Sequence, residues 1–207
     1  MKDKKHWYDG WFYDKFIAPN QDKLFEEIKN RMEASSSVID IGCGTGRLEF
    51  QLADKVKKII GVDLSSTNIE VAQEELYSAG LQNIEFIHAD ASEISILKKE
   101  KFDYAVFTFV IHELPEEERE NAIESAMKIS DKLIIGDYTA PQPQNIWRPL
   151  NSIIEYIAGK KHYEGYRSYL KHCGVHGLAA KMDLLILEEK PVGANTTLFV
   201  LKKNEII

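Results

Sequence analysis

Apolar positions along this chain follow two alternating periods. Short runs rich in β-branched residues occur at VIDIG (38–42), KIIGVD (58–63), IEFIHAD (84–90), FDYAVFTFV (102–110) and KLIIGDY (132–138). Runs that are apolar almost throughout are what strands require when both faces of a parallel sheet are covered. Between them lie segments with helical spacing. In Thr67–Ala79, Ile69, Ala72, Leu76 and Ala79 fall on one stripe; Ser65 and Ser66 offer N-caps, and Gly80 offers a stop. Pro115–Ile129 opens with proline and a cluster of glutamates, which suits the positive end of a helix dipole. Repeated strand–helix–strand units mean right-handed crossovers and a doubly wound α/β sheet.

Two regions depart from this rhythm. Residues 1–34 comprise an aromatic leader and a helical stretch at Gln21–Arg31, and residues 139–176 form a long connection rich in Pro, aromatics and His. The tail then predicts two strands, about 182–190 and 196–202, joined by a turn near Pro191–Asn195. A close hairpin is antiparallel by construction.

Composition narrows the class. The 207 residues suit one domain, residues 1–207, and 44% hydrophobic with 29% charged residues can bury a core. Disordered, collagen-like and disulfide-scaffold chains are excluded. A net charge of −7 and a pI near 5.4 argue against a phosphate-tracking surface, so no nucleic-acid partner is expected. The basic N-terminus has no apolar stretch behind it, and the longest apolar runs, such as Tyr104–Ile111, are strand-sized; neither a secretory signal nor a membrane span is expected. Cys43 and Cys173 lack metal-like spacing, which suits a reducing cytoplasm, with the chain a monomer or homodimer.

The most informative stretch is Val38-Ile-Asp-Ile-Gly-Cys-Gly-Thr-Gly-Arg47, a buried strand entering a turn with glycine at alternate positions. Glycine lets the backbone turn sharply and a ligand approach without a Cβ in the way. In an open α/β sheet such a loop lies at the strand ends where ligands bind. Asp63 closes the second run 17 positions after Gly46, where a carboxylate can accept hydrogen bonds from the vicinal hydroxyls of a ribose. Asp90 closes the third, placed for the exocyclic amine of an adenine. Either acid could instead be an ordinary N-cap. Together with the loop they outline a nucleoside site. The dinucleotide fingerprint G-x-G-x-x-G is not met, since Arg47 stands where its last glycine belongs.

V-I-D-I-G-C-G-T-G-R, then G-V-D-L-S and I-H-A-D-A, resemble the successive motifs of class I S-adenosylmethionine-dependent methyltransferases, over residues 36–138 and, by pattern, the closing hairpin. The resemblance implies a Rossmann-like, seven-stranded, mostly parallel sheet with a C-terminal antiparallel hairpin strand. It implies S-adenosylmethionine as cofactor, with Asp40, Gly42, Cys43, Gly44, Thr45 and Gly46 facing its methionine part. Asp63 would face the ribose, Leu64, Asp90 and Ala91 the adenine, and Phe109 the floor near the sulfonium. On this reading residues 1–34 are a helical lid, 36–138 the cofactor-binding core, 139–176 a substrate-side insertion and 177–207 the closing hairpin.

Methyl transfer from a sulfonium is an in-line displacement that depends mainly on orientation, with a base needed only for a protonated acceptor. No Ser-His-Asp arrangement, zinc spacing or P-loop is present, and no metal is implied. His112, just past the fourth run, is the candidate base, with loop orientation as its alternative. Tyr8, Trp11 and Tyr13 could fold over the cofactor or simply dock a terminal helix; their Tyr-Asp wording resembles quinone-biosynthesis methyltransferases. The insertion supplies Trp147, Arg148, Tyr156, His162 and Tyr166 as pocket candidates, and its A-G-x-x-H-Y-x-x-Y-R-x-Y-L wording resembles small-molecule members of the family. A small-molecule acceptor is therefore expected. An NAD-dependent oxidoreductase and a nucleoside-binding protein without turnover are the alternatives.

Overall fold

The computed structural model describes residues 21–97, 100–145 and 147–204. Helix α1 (Asp22–Arg31) precedes β1 (Ser37–Ile41), α2 (Arg47–Leu52), β2 (Lys58–Asp63), α3 (Ser66–Ala79) and β3 (Ile84–His88). A 3-10 turn at Ala91–Glu93 and the short α4 (Ile94–Leu97) lead to β4 (Phe102–Thr108); a second 3-10 turn, Ile111–Glu113, precedes α5 (Glu116–Ile129) and β5 (Ser130–Tyr138). Three helices follow, α6 (Trp147–Ala158), α7 (Lys160–Lys171) and α8 (Gly174–Lys181), before β6 (Leu184–Val192) and β7 (Thr196–Lys203).

The seven strands form one sheet in the order β3-β2-β1-β4-β5-β7-β6. The first five are parallel, and β7 runs antiparallel to both β5 and β6. The expected doubly wound sheet with its closing hairpin is therefore the observed architecture. Strand order reverses between β1 and β4, which leaves a crevice outside their carboxyl ends.

Alternating residues of each strand feed the two faces of this sheet. Val38, Ile59, Val106 and Ile134 pack with Leu24, Phe25 and Ile28 of α1, Leu48 and Leu52 of α2, and Ile69 and Ala72 of α3. Ile39, Ile60, Ala105, Phe107 and Ile135 pack with Ala122, Ile123 and Ala126 of α5, Tyr166 and Tyr169 of α7, and Leu178 of α8. Burying both faces is what the near-continuous apolar runs require. Local signals behave as their chemistry demands: Ser65 Oγ accepts from Asn68 N–H at 3.3 Å to cap α3, and Gly80 ends that helix at φ +67°. The predicted strands overrun in places. Strand β4 stops at Thr108 because Phe109 turns to φ +56°, and β6 begins at Leu184 because Asp183 takes φ +51°. No described helix is long and apolar enough to cross a membrane.

Candidate functional site

A cleft of about 300 Å³ opens over the carboxyl ends of β1–β4, within the size range of small-ligand pockets. Gly42 and Gly44 line it on the β1 side, Asp63, Leu64 and Ser65 beyond β2, Asp90, Ala91 and Ser92 beyond β3, and Phe109 and Val110 beyond β4.

The glycine loop is shaped by packing from below. Gly42 has φ +81°, and a Cβ there would lie 2.2 Å from Val110 Cγ2; Gly46 has φ +87°, and a Cβ there would lie 2.4 Å from Phe86 Cζ. Both conformation and contact exclude larger residues. The loop's donors are turned inward. Gly42 N–H and Cys43 N–H donate to Val62 O at 2.7 and 3.1 Å, Gly46 N–H to Cys43 O at 3.1 Å, and Gly44 N–H to Asp63 Oδ2 at 2.9 Å. A phosphate-binding loop needs those groups aimed at the ligand. This loop instead offers glycine Cα surface and, through Asp63, negative charge.

Asp63 also accepts from Ser65 N–H at 2.8 Å, so one carboxylate ties the loop after β1 to the turn after β2. It does not cap α3; Ser65 does. Asp90 is the N-cap the sequence allowed, and it also stands at the cleft. It caps the following 3-10 turn, accepting from Ser92 N–H at 2.9 Å and Ser92 Oγ at 2.7 Å, and it lines the cleft. Phe109 holds a left-handed conformation that is unusual for a bulky side chain, and its ring meets Tyr138 edge-on at 5.8 Å.

Of the residues singled out beforehand, Gly42, Gly44, Asp63, Leu64, Asp90, Ala91 and Phe109 come together in this wall. Asp40, Cys43, Thr45 and Gly46 are buried outside that lining. Asp40 packs against Glu49 of α2, whose carboxyl occupies the space left by the missing side chain of Gly61. Burial, with Asp63 nearby, pushes Asp40 up to about 8; burial beside Asp40 likewise raises Glu49 well above the usual carboxylate range. The two groups share a proton rather than both ionising. Burial and the same three carboxylates raise the Cys43 thiol, so it stays protonated.

His112 does not face the cleft. Its side chain is 3% exposed and lies between two carboxylates, Nδ1 at 2.6 Å from Asp137 Oδ1 and Nε2 at 3.4 Å from Glu155 Oε1. Burial alone would depress the imidazole, but Asp137 and Glu155 outweigh it and hold the ring protonated well above its ordinary 6.5. A ring charged in this way orients its neighbours and has no lone pair to act as a base. Tyr166 is buried beside it, with ring centroids 6.3 Å apart. His162 is also buried, its Nδ1 3.5 Å from Glu113 Oε2, whereas Tyr156 is 69% exposed. Trp147 and Arg148 open α6, but their side chains, like Tyr8, Trp11 and Tyr13, lie outside the described residues.

Sequence reasoning pointed to the segment 110–115 but missed two residues of the far wall, Glu118 and Asn121. Glu113, Leu114, Glu118 and Asn121 also line the cleft. The last two sit one turn apart on α5, a spacing visible in EEERENA but indistinguishable there from a solvated face. It also missed Arg119, a buried guanidinium donating to Ile111 O, Leu114 O and Gly165 O at 2.9, 2.8 and 3.1 Å, which joins the turn after β4 to α7.

A family of methyltransferase domains matches residues 38–131. A probable S-adenosylmethionine-dependent methyltransferase of Saccharomyces cerevisiae, CRG1, is 28% identical over 142 residues, covering 68% of this chain and 49% of that protein. The chain thus spans about half the length of this curated relative. Among solved structures, the PH0226 protein of Pyrococcus horikoshii superposes with a TM-score of 0.67 at 21% identity, over 96% of this chain and 94% of that one. The N-methyltransferase NodS of Bradyrhizobium japonicum, in complex with S-adenosyl-L-homocysteine, superposes with a TM-score of 0.63 at 18% identity, over 95% and 93% of the two chains.

Proposed function

We propose that the chain is a class I S-adenosylmethionine-dependent methyltransferase and that it methylates a small-molecule acceptor. One observation carries this reading. The glycine loop has turned its N–H groups inward and set Asp63 beside the cleft, an arrangement hostile to a pyrophosphate and suited to a neutral ribose and a cationic sulfur. The same observation, with Arg47 in place of the third glycine, counts against a nicotinamide dinucleotide.

When bound, the cofactor supplies a methyl group already activated on a cationic sulfur. The protein's residues then bind and orient. Asp63 would accept the ribose hydroxyls, Leu64, Asp90 and Ala91 would meet the adenine, and the Gly42–Gly44 backbone the methionine part. Phe109 and Val110 would form an apolar floor that keeps water from the line of attack. The wall of Glu113 and Leu114, backed by α7 and continued by α6, would receive the acceptor, so residues 139–176 act as the substrate-side insertion. Residues 1–34 act as the lid, since α1 begins with Asp22 bridged to Arg47, the residue after the glycine loop. On this reading the enzyme works in the cytoplasm, with neither nucleic acid nor membrane as partner.

The test is titration calorimetry with S-adenosylmethionine, S-adenosylhomocysteine and NADH. Binding of the first two and not the third is expected. Binding of NADH alone, or of none by the folded protein, would overturn the proposal.

A further inference from the structure

Helix α6 is held by polar contacts. Among its described residues, the two most buried are polar, Asn151 and Glu155 one turn apart, while Ile153, Tyr156 and Ile157 are more than half exposed. Asn151 Oδ1 accepts from Asn195 Nδ2 at 3.1 Å. Glu155 Oε1 accepts from the Tyr138 hydroxyl at 3.1 Å and lies 3.4 Å from His112 Nε2. Strand β5 holds the other side of His112. Asp137 takes its ring Nδ1–H at 2.6 Å and its backbone N–H at 3.0 Å, and the same carboxylate accepts from Tyr138 N–H at 2.7 Å.

This chain of contacts ends at the cleft. The Tyr138 ring lies 4.7 Å from that of His112, tilted by 58°, and meets the edge of Phe109 at 5.8 Å, and Phe109 lines the cleft. We propose that Glu155, seated on His112 and Tyr138, is an ionic latch that fastens α6 to the sheet and positions Phe109, so that releasing it loosens the acceptor side of the cleft. The proposal rests on the functional reading only in naming that side as the acceptor's.

A buried carboxylate pair with one imidazolium carries a single net negative charge, and without the imidazole proton it would carry two in a low-dielectric site. The latch therefore has a direction with pH. His112 is protonated more readily in the folded chain than in the unfolded one, so its contribution is complete below the ordinary histidine range and fades as pH rises through the raised value. The groups facing it are Asp137 and Tyr138 of β5, Glu155 of α6, and Tyr166 and Tyr169 of α7. Both Tyr138 and Tyr169 are raised well above 10, chiefly by burial, so His112 is the one that releases the latch on the alkaline side. Arg119 lies over Tyr169 and holds backbone carbonyls, and it stays charged throughout.

Hydrogen exchange followed by mass spectrometry tests this on the full chain. In Glu155→Gln, amides of residues 147–158 and 109–114 should exchange at least tenfold faster, with β1–β5 protection unchanged. In the wild type the same two segments should loosen as pH rises above neutral, after correction for intrinsic exchange, and Glu155→Gln should show no such step. His112→Gln should loosen the same segments at neutral pH. Protection of α6 within twofold of wild type in Glu155→Gln overturns the latch, as does an even loss of protection across the sheet in both variants. S-adenosylhomocysteine binding by the wild type, measured alongside, tests the functional reading separately. Failure of the wild type to bind it would defeat the functional reading and leave the exchange result standing.

Discussion

Replacing Asp63 separates the two tasks its carboxylate performs. In the folded chain Oδ2 accepts from Gly44 N–H at 2.9 Å and Oδ1 from Ser65 N–H at 2.8 Å. Hydrogen bonds to a charged group contribute about 1.5–3 kcal/mol each, but this site is half-buried and water can reach both donors in the variant. A stability loss of about 1–3 kcal/mol in total is therefore expected for Asp63→Ala, leaving a cooperative unfolding transition. The ligand contribution is additional. Losing the acceptor for the ribose hydroxyls should cost about 1.5–3 kcal/mol, which at about 1.4 kcal/mol per tenfold is a rise of about 10- to 150-fold in Kd. Asp63→Asn keeps one acceptor oxygen and the side-chain shape, so it should fall between wild type and alanine on both scales. Thermal melts and calorimetric titration with S-adenosylhomocysteine read the two effects separately. A folded Asp63→Ala variant whose Kd stays within twofold of wild type would refute the ribose assignment. Loss of stability without loss of affinity would reduce Asp63 to a brace between two loops.

Gly42→Ala should cost about 2–4 kcal/mol in urea unfolding, combining a left-handed backbone with overpacking against Val110 Cγ2, and Val110→Ala should recover part of that loss. Arg119→Met removes three hydrogen bonds from a buried guanidinium to backbone carbonyls and should cost at least about 3 kcal/mol; a loss under about 1 kcal/mol would mean the guanidinium is not the tie between the turn after β4 and α7. Asp40 has a folded value near 8 against an ordinary 3.8, so the native state binds the extra proton. Its contribution to stability is complete below the ordinary carboxylate range and lost as pH climbs toward 8. Denaturant midpoints should therefore fall across that window and flatten in Asp40→Asn; an unchanged slope would remove the shared proton.

Much of the fold was readable because a covered parallel sheet writes a simple pattern. Five apolar runs, a hairpin and three helical stretches pointed to a doubly wound sheet with right-handed crossovers and an antiparallel close. Side-chain roles were harder wherever they depend on what another element brings. Asp40 is a ligand contact only by what the family resemblance implies, and Glu49, nine residues on, draws it into a buried acid pair. His112 reads as a base because imidazole is versatile. Its two carboxylate partners come from 25 and 43 positions away, and no local pattern announces either. The apolar residues Ile153, Tyr156 and Ile157 of α6 give no warning that, among its described residues, Asn151 and Glu155 are buried and these three exposed.

The disagreements between apolar runs and strands are informative in themselves. The runs predicted as 38–42, 84–90 and 102–110 outlast their strands, which end at Ile41, His88 and Thr108. The surplus residues are Gly42, Ala89, Asp90, Phe109 and Val110, and every one of them lines the cleft. At β2 and β5 the predicted and observed ends coincide, at Asp63 and Tyr138. The physical reason is that an apolar residue just past a strand end has left the sheet's hydrogen bonding without leaving the core. Val110 packs under Gly42, and Phe109 turns left-handed to lay its ring against Tyr138. Hydrophobic burial there serves the floor of the cleft rather than the register of a ladder. A carboxyl-end overrun shared by neighbouring parallel strands thus marks the crevice itself.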